Sequence, residues 1–457
     1  LPNPKGPQPD RKSGNTDEYI GRLFKGSLSI IDAPDARTLA LYSKLVYDNT
    51  PYSKSREVTA SGEAGNPVPR EAKTANALSP IKYVFYVIKE NRTYDQMLGD
   101  VKEGNGDSSL CLFPEPVTPN HHALAREFVL LDNFYVDAEV SADGHNWSMA
   151  AYATDFVEKT WPSNYSGRGG NYDYEGGRKI AEPEKGFIWD YCKQAGVSYR
   201  SYGEFVYNGK ATVVSLEGHV AAAFPTYNLD IMDTVRERIW EKDFDSLVAT
   251  GAVPQFNIIR LPNDHTSGAR TGKRTPQAFV ADNDLALGRF VEHLSRSPVW
   301  KESAVFVLED DAQNGPDHVD AHRSIAFVIS PYTKRRNIDR TMYSTSSMLR
   351  TMELILGLPP MSQYDAAATP MWRCFTAAPD FTPYVCKPVA TDLGAKNLAV
   401  NESSRRSETF NLAKEDAAPD IEFNEVIWKT VKGESSAMPA PRRSAFVKLS
   451  AKDDDDD

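Results

Sequence analysis

Polar side chains capable of binding a metal follow three apolar runs of this sequence. The runs cover residues 82–89, 256–261 and 304–308, and each is rich in β-branched or aromatic residues. The polar residues that follow them are Glu90 and Asn91, Asp264 and His265, and Asp310 and Asp311, with His318 and His322 a few positions later. Carboxylate, amide and imidazole donors of this kind suit zinc or manganese. The pattern therefore predicts a divalent metal site built from these residues.

Two of these candidates are adjacent carboxylates. Asp310 and Asp311 repel each other when both are ionised, so a cation between them is a natural compensation if they are partly buried. A single carboxylate after a strand is more often a solvated loop residue. The prediction therefore depends on the agreement of several segments.

The elements that must position these residues are buried strands. The three runs, and a fourth over 128–131, lack the polar alternation of a half-exposed strand, which favours strands covered on both faces. Ligands of parallel α/β sheets gather beyond the carboxyl ends of the strands. A helical spacing of apolar residues from Pro276 to Leu294 supplies the crossover of a βαβ unit. We therefore predict an α/β fold with a mostly parallel sheet, helices on both faces and all four strands side by side.

A short helix is predicted after the fourth strand, where Trp147 to Ala153 are small and apolar. Its N-terminus would lie beside the metal site and offer unpaired N–H groups to an anion, which suits a phosphate. Further helices are predicted over 119–128, 187–194, 344–356 at the surface and 420–431, strands over 197–202 and 325–329, and loops over 161–185 and 360–415.

Length and charge restrict the class of protein. The 457 residues suffice for one large α/β domain with insertions or for two domains. The net charge is −11, but Asp453 to Asp457 contribute five of these charges, so the body is mildly acidic and general nucleic-acid binding is not expected. No apolar run approaches the roughly 18 residues of a transmembrane helix. Cys374 and Cys386 could form a disulfide, with buried free thiols as the alternative.

The chain divides into three parts by composition. Residues 1–78 form an N-terminal extension, with a strand-like Gly26–Asp32 and a linker over 53–80. Residues 79–436 form the body that carries the metal-binding candidates. Residues 437–457 lack a packing pattern and end in the aspartate run, so we expect a disordered acidic tail. Because the chain begins at Leu1, we expect a processed or truncated product.

Several motifs resemble one family when read in order. Glu90-Asn91-Arg92-Thr93-Tyr94-Asp95 is similar to the Glu-Asn-Arg-Ser/Thr-Phe/Tyr-Asp signature of the phosphoesterase family that includes bacterial phospholipases C and an acid phosphatase, within the alkaline phosphatase superfamily. The segments 118–125 and 131–135 resemble the next part of the family pattern, and 310–332 resembles its Asp-Glu, Asp-His-Val and Ile-Ser-Pro-Tyr block. The resemblance covers roughly residues 81–360.

This resemblance implies an alkaline-phosphatase-like fold and metal-dependent hydrolysis of phosphate monoesters or diesters. It implies that Glu90, Asn91, Asp310 and Asp311 bind one metal. It also implies that Asp264, with His265, His318 or His322, completes a second metal site or contacts the substrate phosphate. The ion would be zinc, with manganese or calcium as alternatives, in one or two copies.

The nucleophile departs from the family pattern. In the relatives a Ser or Thr opens the helix after the second strand, whereas the matching run here places Asn146 at that position. An amide is a poor nucleophile but a competent metal or phosphate ligand. Either Ser148 or Ser141 supplies the alcohol in a shifted register, or a hydroxide ion generated at the metal attacks, or catalysis is lost and the chain is a silent module that binds phosphate ligands. His145, Asn146 and Ser148 are therefore the catalytic candidates.

The resemblance also implies a setting for the reaction. The substrate would be a small phosphate ester, a phospholipid head group or a phosphorylated glycan. Gly26–Asp32 resembles the last blade strand of β-propellers that are fused to some of these phosphoesterases, so a propeller domain is expected before Leu1. The expected location is the bacterial periplasm or the secreted fraction.

Overall fold

The computed structural model describes residues 30–71, 79–165 and 174–442. Within these ranges the strands are β1 (Tyr83–Lys89), β2 (Val129–Leu131), β3 (Phe134–Tyr135), β4 (Tyr199–Tyr202), β5 (Val206–Tyr207), β6 (Lys210–Ala211), β7 (Phe256–Arg260), β8 (Ser303–Glu309), β9 (Ala326–Ile329), β10 (Asn337–Asp339) and β11 (Tyr343–Ser344). The helices are α1 (Ala36–Asn49), α2 (Tyr94–Leu98), α3 (Pro119–Glu127), α4 (Ser141–Ala150), α5 (Asp155–Asn164), α6 (Ile188–Ala195), α7 (Asp233–Thr250), α8 (Pro276–Arg296), α9 (Thr345–Leu356), α10 (Gln363–Ala367), α11 (Glu402–Thr409) and α12 (Asp420–Lys432).

Five strands form the central sheet, in the order β4-β7-β1-β8-β9. The first four are mutually parallel, and β9 runs antiparallel to β8 at one edge. Helix α8 connects β7 to β8, which lie on opposite sides of β1, as the βαβ prediction requires. The predicted α/β class with a mostly parallel sheet is confirmed.

Alternate residues of β1 enter two apolar cores, one on each face of the sheet. One core contains Phe85 and Val87 together with residues of α3, α7, α8 and α12. The other contains Val84, Tyr86 and Ile88 together with residues of α6 and α9. Both faces of β1 are buried by helices, which explains why its sequence lacks polar alternation.

The fourth predicted strand lies elsewhere. Strand β2 is three residues long and pairs in parallel with β10 in a separate two-stranded sheet. The edge of the central sheet beside β8 is taken by β9 instead. The prediction that all four strands lie side by side is therefore wrong for 128–131.

Two helix predictions also need correction. The helix expected to begin at Trp147 begins at Ser141 and ends at Ala150. Helix α9 was expected at the surface, but every residue from Thr345 to Ile355 is buried. Several of its polar residues have partners within the helix, since Thr351 Oγ1 donates to the Ser347 carbonyl and Arg350 pairs with Glu353 at 3.1 Å. A small hydroxyl that is hydrogen-bonded to the backbone can be buried without the free-energy cost of an unsatisfied polar group. Alternating polarity in this segment therefore did not indicate exposure.

The segments outside the body have mixed placements. Residues 26–29 of the expected blade strand lie outside the described residues, and 30–32 are in neither helix nor strand. Residues 54–71 lie against the body, where Ala60 and Val68 join the core beside α6 and α9. Helix α1 has no buried residue. At the other end Arg442 Nη1 donates to the His318 carbonyl at 2.8 Å, and residues 443–457 lie outside the described ranges.

All four cysteines carry free thiols, so Cys374 and Cys386 are not bridged. In the part of the chain that the structure describes, no helix has both the length and the apolar content to cross a bilayer.

Substitution of Trp240 tests the packing of the sheet. The Trp240 ring of α7 lies against Phe85 of β1 and Phe290 of α8, with centroids 6.4 and 4.1 Å away. Trp240→Ala would leave a large cavity and should lower the free energy of unfolding by about 3–5 kcal/mol in urea titrations. The control Val235→Ala removes a side chain of the same helix that is 38% exposed, and it should cost about 0.5 kcal/mol or less. Equal effects would contradict the packing described.

Candidate active site at the carboxyl edge of the sheet

Strand register brings the predicted residues together. Ile88 of β1 pairs with Arg260 of β7, and Lys89 pairs with Glu309 of β8. The three adjacent strands therefore end at the same height in the sheet, and the side chains that follow them lie along one edge. Lys89 lies between two carboxylates beneath this edge, 2.6 Å from Asp264 Oδ2 and 2.7 Å from Glu309 Oε1.

The turn after β1 presents an amide with no partner. Asn91 adopts a left-handed backbone with φ of 69°, which is uncommon for a residue other than glycine. Its side chain is buried, and neither Oδ1 nor Nδ2 has a hydrogen-bond partner among the described residues. A buried amide with both ends unsatisfied costs free energy, so this geometry points to a ligand outside the protein chain.

Three carboxylates beside Asn91 are also incompletely satisfied. Glu90, Asp310 and Asp311 are fully buried, and within the described residues no hydrogen bond reaches Glu90 Oε2, either oxygen of Asp310, or Asp311 Oδ1. Burial, reinforced by the charge of Glu90, raises the pKa of Asp310 well above its ordinary value. Burial and the charge of Asp310 do the same to Asp311. A divalent cation among these oxygens would remove the conflict.

His145 adds an imidazole to the same cluster. Its Nε2 atom lies 3.5 Å from Asp310 Oδ2 and 3.6 Å from Glu90 Oε1, and these three side chains could hold a metal together. Its Nδ1 atom is 2.9 Å from Glu204 Oε1, so the N–H at Nδ1 donates to that carboxylate. A carboxylate on one ring nitrogen fixes the tautomer and directs the lone pair of the other nitrogen toward Glu90 and Asp310.

Glu204 is a site residue that the sequence interpretation missed. It follows β4, in a turn where Gly203 and Phe205 have φ of 95° and 50°. The fourth parallel strand therefore also delivers a carboxylate to this edge. The available signal was the same as for β1 and β8, an acidic residue just beyond a strand, but in β4 the strand pattern was short and carried Arg200.

The N-terminus of α4 enters the site and carries a hydroxyl. Ser141 is the first residue of the helix, and its Oγ donates to Asp311 Oδ2 at 3.0 Å. Close approach of this helix to β8 requires Gly144, because a Cβ there would lie 2.8 Å from the Asp310 carbonyl oxygen. The alcohol beside the carboxylates is therefore Ser141, one of the two serines that the sequence left open.

The other two residues of the predicted catalytic set lie further along α4. Asn146 Nδ2 donates back to the Ala142 carbonyl at 3.0 Å, so its amide follows the helix axis. The Ser148 hydroxyl lies beside the phenol of Tyr86. Asn146 does not lie at the start of the helix, because that position is taken by Ser141.

Arg260, the last residue of β7, is a fixed cation in the site. It donates to Glu90 Oε1 from Nε at 2.9 Å and from Nη2 at 2.7 Å, and Nη2 also donates to His145 Nε2 at 2.8 Å. Glu415 Oε1 lies 3.0 Å from the same Nη2 atom, and Glu175 Oε2 lies 3.2 Å from Nη1. Burial opposes the ionisation of Glu90, but Arg260, His145 and His265 together outweigh it and hold the pKa of Glu90 below its usual range.

A segment near the C-terminus covers the site. Asp416 accepts hydrogen bonds from the backbone N–H groups of Ser141 and Ala142, at 3.0 and 2.6 Å. Burial raises the pKa of Asp416 to about 7, although these two N–H groups favour its charged form. The residues 411–419, which we call the strap, thus cap the N-terminus of α4 and reach Arg260 through Glu415.

The structure places the remaining predicted ligands in other contacts. Asp264 Oδ1 accepts a hydrogen bond from the Glu90 backbone N–H at 3.1 Å, and Asp264 Oδ2 pairs with Lys89. Asp264 therefore positions the backbone of Glu90. The His265 Nδ1–H donates to the Thr266 carbonyl, and its ring packs 5.2 Å from the ring of Phe423. Burial lowers the pKa of His265.

His318 and His322 lie in separate polar clusters. His318 Nδ1 is 2.7 Å from Asp95 Oδ2, in a group with Asp317 that could hold a metal by geometry. Arg323 already bridges Asp95 and Asp317 at 3.0 Å each, which supplies the positive charge of that group. His322 contacts Asp320 at 2.8 Å and Glu139 at 3.3 Å.

Comparison with known proteins identifies the family. Residues 104–359 match the model of the phosphoesterase family, which is more than half of the 457 residues. The chain belongs to the phosphoesterase family. Membership supports hydrolysis of an ester as the general activity. The Glu90 to Asp95 motif precedes the matched range and adds to it independently.

The solved structures that resemble this fold have low sequence identity to the chain. They include a protein of the alkaline phosphatase superfamily from Vibrio parahaemolyticus, with TM-score 0.44 and 16% identity over 68% of this chain and 75% of that chain. A Bacteroides thetaiotaomicron protein from a locus for glycosaminoglycan metabolism has TM-score 0.43 and 14% identity, over 61% of this chain and 73% of that chain. Human ectonucleotide pyrophosphatase/phosphodiesterase 5 has TM-score 0.30 and 13% identity, over 50% of this chain and 56% of that chain. No curated protein sequence matches this chain. Likeness at this level does not transfer a substrate.

The structural role of Asp264 can be separated from metal binding in chelator-treated protein. Asp264→Asn removes a charged partner of the buried Lys89 and should lower the free energy of unfolding by about 2 kcal/mol or more. Asp310→Asn is the matched control. At pH 7 it should leave the unfolding temperature unchanged or raise it, because a carboxyl whose pKa is raised by folding destabilises the folded state at every pH above its unfolded pKa. That gain should disappear near pH 3, where the carboxyl is protonated in both states. Equal losses in both variants would contradict the assignment of Asp264.

Proposed function

We propose that this chain is a divalent-metal-dependent phosphoesterase in which Ser141 is the nucleophile. The observation that carries the proposal is the position of Ser141 Oγ, which begins a helix and contacts Asp311 among buried carboxylate oxygens that have no hydrogen-bond partner in the described residues. A hydroxyl at a helix N-terminus beside a metal site is suited to attack a phosphoryl group, because both features stabilise negative charge.

The donor atoms fit a metal ion. Glu90 Oε2, Asn91 Oδ1, the Asp310 oxygens and Asp311 Oδ1 would hold the ion, and His145 Nε2 stands within reach of the same position. An imidazole with a carboxylate behind it favours zinc or manganese over calcium, which takes oxygen ligands. We propose a single ion, because Arg260 already places a fixed positive charge between Glu90 and His145.

The reaction is a displacement at phosphorus. A bound divalent cation supplies positive charge that favours the serine alkoxide and the phosphoryl transition state. Asp311 orients the Ser141 hydroxyl through its hydrogen bond. The Ser141 Oγ passes its proton to Asp311, with which it is hydrogen-bonded, and forms a bond to phosphorus while the ester P–O bond breaks. The electron pair of the broken P–O bond leaves with the alkoxide, which takes up a proton from water. Water then hydrolyses the phosphoserine ester and restores the hydroxyl.

The silent binding module loses its main support. That hypothesis depended on Asn146 standing where a nucleophile should be. Because α4 begins at Ser141, the helix N-terminus carries a hydroxyl and Asn146 lies more than one turn further along. Hydrolysis is therefore the function that the geometry favours.

The substrate class and location are part of the proposal. A phosphate monoester or diester, such as a phospholipid head group or a phosphorylated glycan, would meet the requirement for a transferable phosphoryl group. A periplasmic or secreted location, and a propeller domain before Leu1, follow from the family resemblance and are proposed on that basis.

Ser141→Ala separates the two candidate serines. This variant should lose at least about 10³-fold in kcat toward para-nitrophenyl phosphate or bis-para-nitrophenyl phosphate, because no other hydroxyl contacts Asp311 in the described chain. Its metal content, measured by mass spectrometry, should match that of the unmodified protein. Ser148→Ala, on the same helix, should retain activity within about tenfold. Loss in Ser148→Ala with retention in Ser141→Ala would reverse the assignment.

Metal dependence is tested by removal and replacement. Chelation should abolish hydrolysis of both esters, and zinc or manganese should restore it. The double variant Asp310→Ala and Asp311→Ala should lose both the bound metal and turnover, since it removes two ligand side chains together. Unchanged rates in chelator, or in the double variant, would refute a metal-dependent reaction.

A further inference from the structure

The active site described here is closed to solvent. The side chains of Glu90, Asp310 and Asp311 are fully buried, and Ser141 and Asn91 are each 1% exposed. A phosphate ester cannot reach Ser141 Oγ in this arrangement. A part of the chain must therefore move before a substrate binds.

The strap makes the contacts that a phosphoryl group would need. Asp416 uses both carboxylate oxygens to accept the N–H groups of Ser141 and Ala142 at the start of α4. Glu415 accepts a hydrogen bond from Arg260 Nη2. These N–H groups belong to the helix terminus that carries the Ser141 hydroxyl, and the guanidinium contacts Glu90 and His145 of the same site. Two adjacent carboxylates of one short segment occupy both.

We propose that Glu415 and Asp416 act as a built-in mimic of the substrate phosphoryl group, and that substrate binds by displacing the strap from Arg260 and from the N-terminus of α4. The proposal rests on the proposed function, since it takes Ser141 as the point of attack. It assigns Arg260 and the N–H groups of Ser141 and Ala142 as the phosphoryl-binding groups of the open state.

The strap is anchored at its ends and strained at its centre. Leu412 and Ala418 are buried in the core beside α12 and hold the segment at both sides. Between them Asp416 has a left-handed backbone with φ of 54°, and Lys414 is exposed. Displacement therefore needs movement of about five residues, 413–417, without disruption of the core.

Electrostatics also favours displacement once a metal and a phosphate are present. Glu415 and Asp416 bring two carboxylates to a site that already holds Glu90, Asp310 and Asp311, and like charges in a buried site repel. A phosphate would take over the same N–H groups and guanidinium while also reaching the cation. The strap is thus a competitor that a stronger ligand can replace.

The test measures binding of inorganic phosphate to the zinc-loaded full chain by calorimetry, which does not depend on turnover. If only molecules with the strap displaced bind phosphate, the apparent Kd equals the intrinsic Kd divided by the fraction of molecules in that open state. Removal of the competing carboxylate raises this fraction and lowers the apparent Kd. Asp416→Ala should therefore lower the Kd for phosphate by about tenfold or more. The matched control is Asp35→Ala, since Asp35 makes a similar cap on the exposed helix α1 by accepting from the Thr38 N–H at 2.7 Å. It should leave the Kd unchanged.

An unchanged or higher Kd in Asp416→Ala, including absence of binding in both proteins, would overturn the proposal. A second measurement uses the unsubstituted chain, in case the variant fails to fold. Phosphate should accelerate trypsin cleavage after the exposed Lys414, and Lys414→Gln should remove that cut. Slower or unchanged cleavage would contradict displacement.

The two proposals can fail separately. An inactive chain in which Asp416→Ala still tightens phosphate binding would refute the hydrolase and retain the strap. An active, Ser141-dependent enzyme whose phosphate affinity does not change in Asp416→Ala would retain the hydrolase and refute the strap.

Discussion

Buried carboxylates at the carboxyl edge of the sheet are the constraint on which this structure depends. Glu90, Glu204, Asp310 and Asp311 are fully buried within one cluster, and Asp416 is nearly so. A carboxylate moved out of water without compensation is costly, and several together repel one another. The compensation that the described residues supply includes Arg260, the His145 imidazole, the Ser141 hydroxyl and two backbone N–H groups. Oxygens of Glu90, Asp310 and Asp311 are left over, and they define the place for a cation.

The surrounding fold holds this unfavourable cluster in place. Lys89 pairs with Asp264 and Glu309 under the sheet edge, and Asp264 in turn fixes the Glu90 backbone. Gly144 lets α4 approach β8 closely enough for Ser141 to reach Asp311. The two apolar cores bury β1 on both faces of the sheet. A site with strained and unsatisfied groups can persist because the rest of the structure determines its geometry.

The sequence predicted the sheet-edge carboxylates because strand ends are a local signal. Apolar runs without alternation identified β1, β7 and β8, and Glu90, Asn91, Asp310 and Asp311 follow directly from their ends. Arg260 was not predicted because it is the last residue of a strand rather than part of the loop beyond it. The contact of Asp264 with Lys89 was not predicted, because it depends on the pairing of two strands, which the local pattern does not contain.

The nucleophile was the least predictable part of the site. Helix α4 begins at Ser141 without a capping side chain on Val140, and the cap comes from Asp416, far away in sequence. The usual start signal of a Ser, Thr, Asp or Asn before the helix is therefore missing. An apolar stretch from Trp147 onward then suggested a later start. Long-range capping by the strap explains both the hidden helix start and the closure of the site.

The measurement that tests this account most directly is anomalous diffraction from crystals of the zinc-loaded protein soaked in inorganic phosphate. We expect one strong zinc peak at the edge of the sheet, about 2.0–2.2 Å from oxygens of Glu90, Asp310 and Asp311, with Ser141 Oγ facing the bound phosphate. A zinc peak at Asp95, Asp317 and His318, or no peak near Glu90, would contradict the claim that the buried carboxylates form the catalytic metal site.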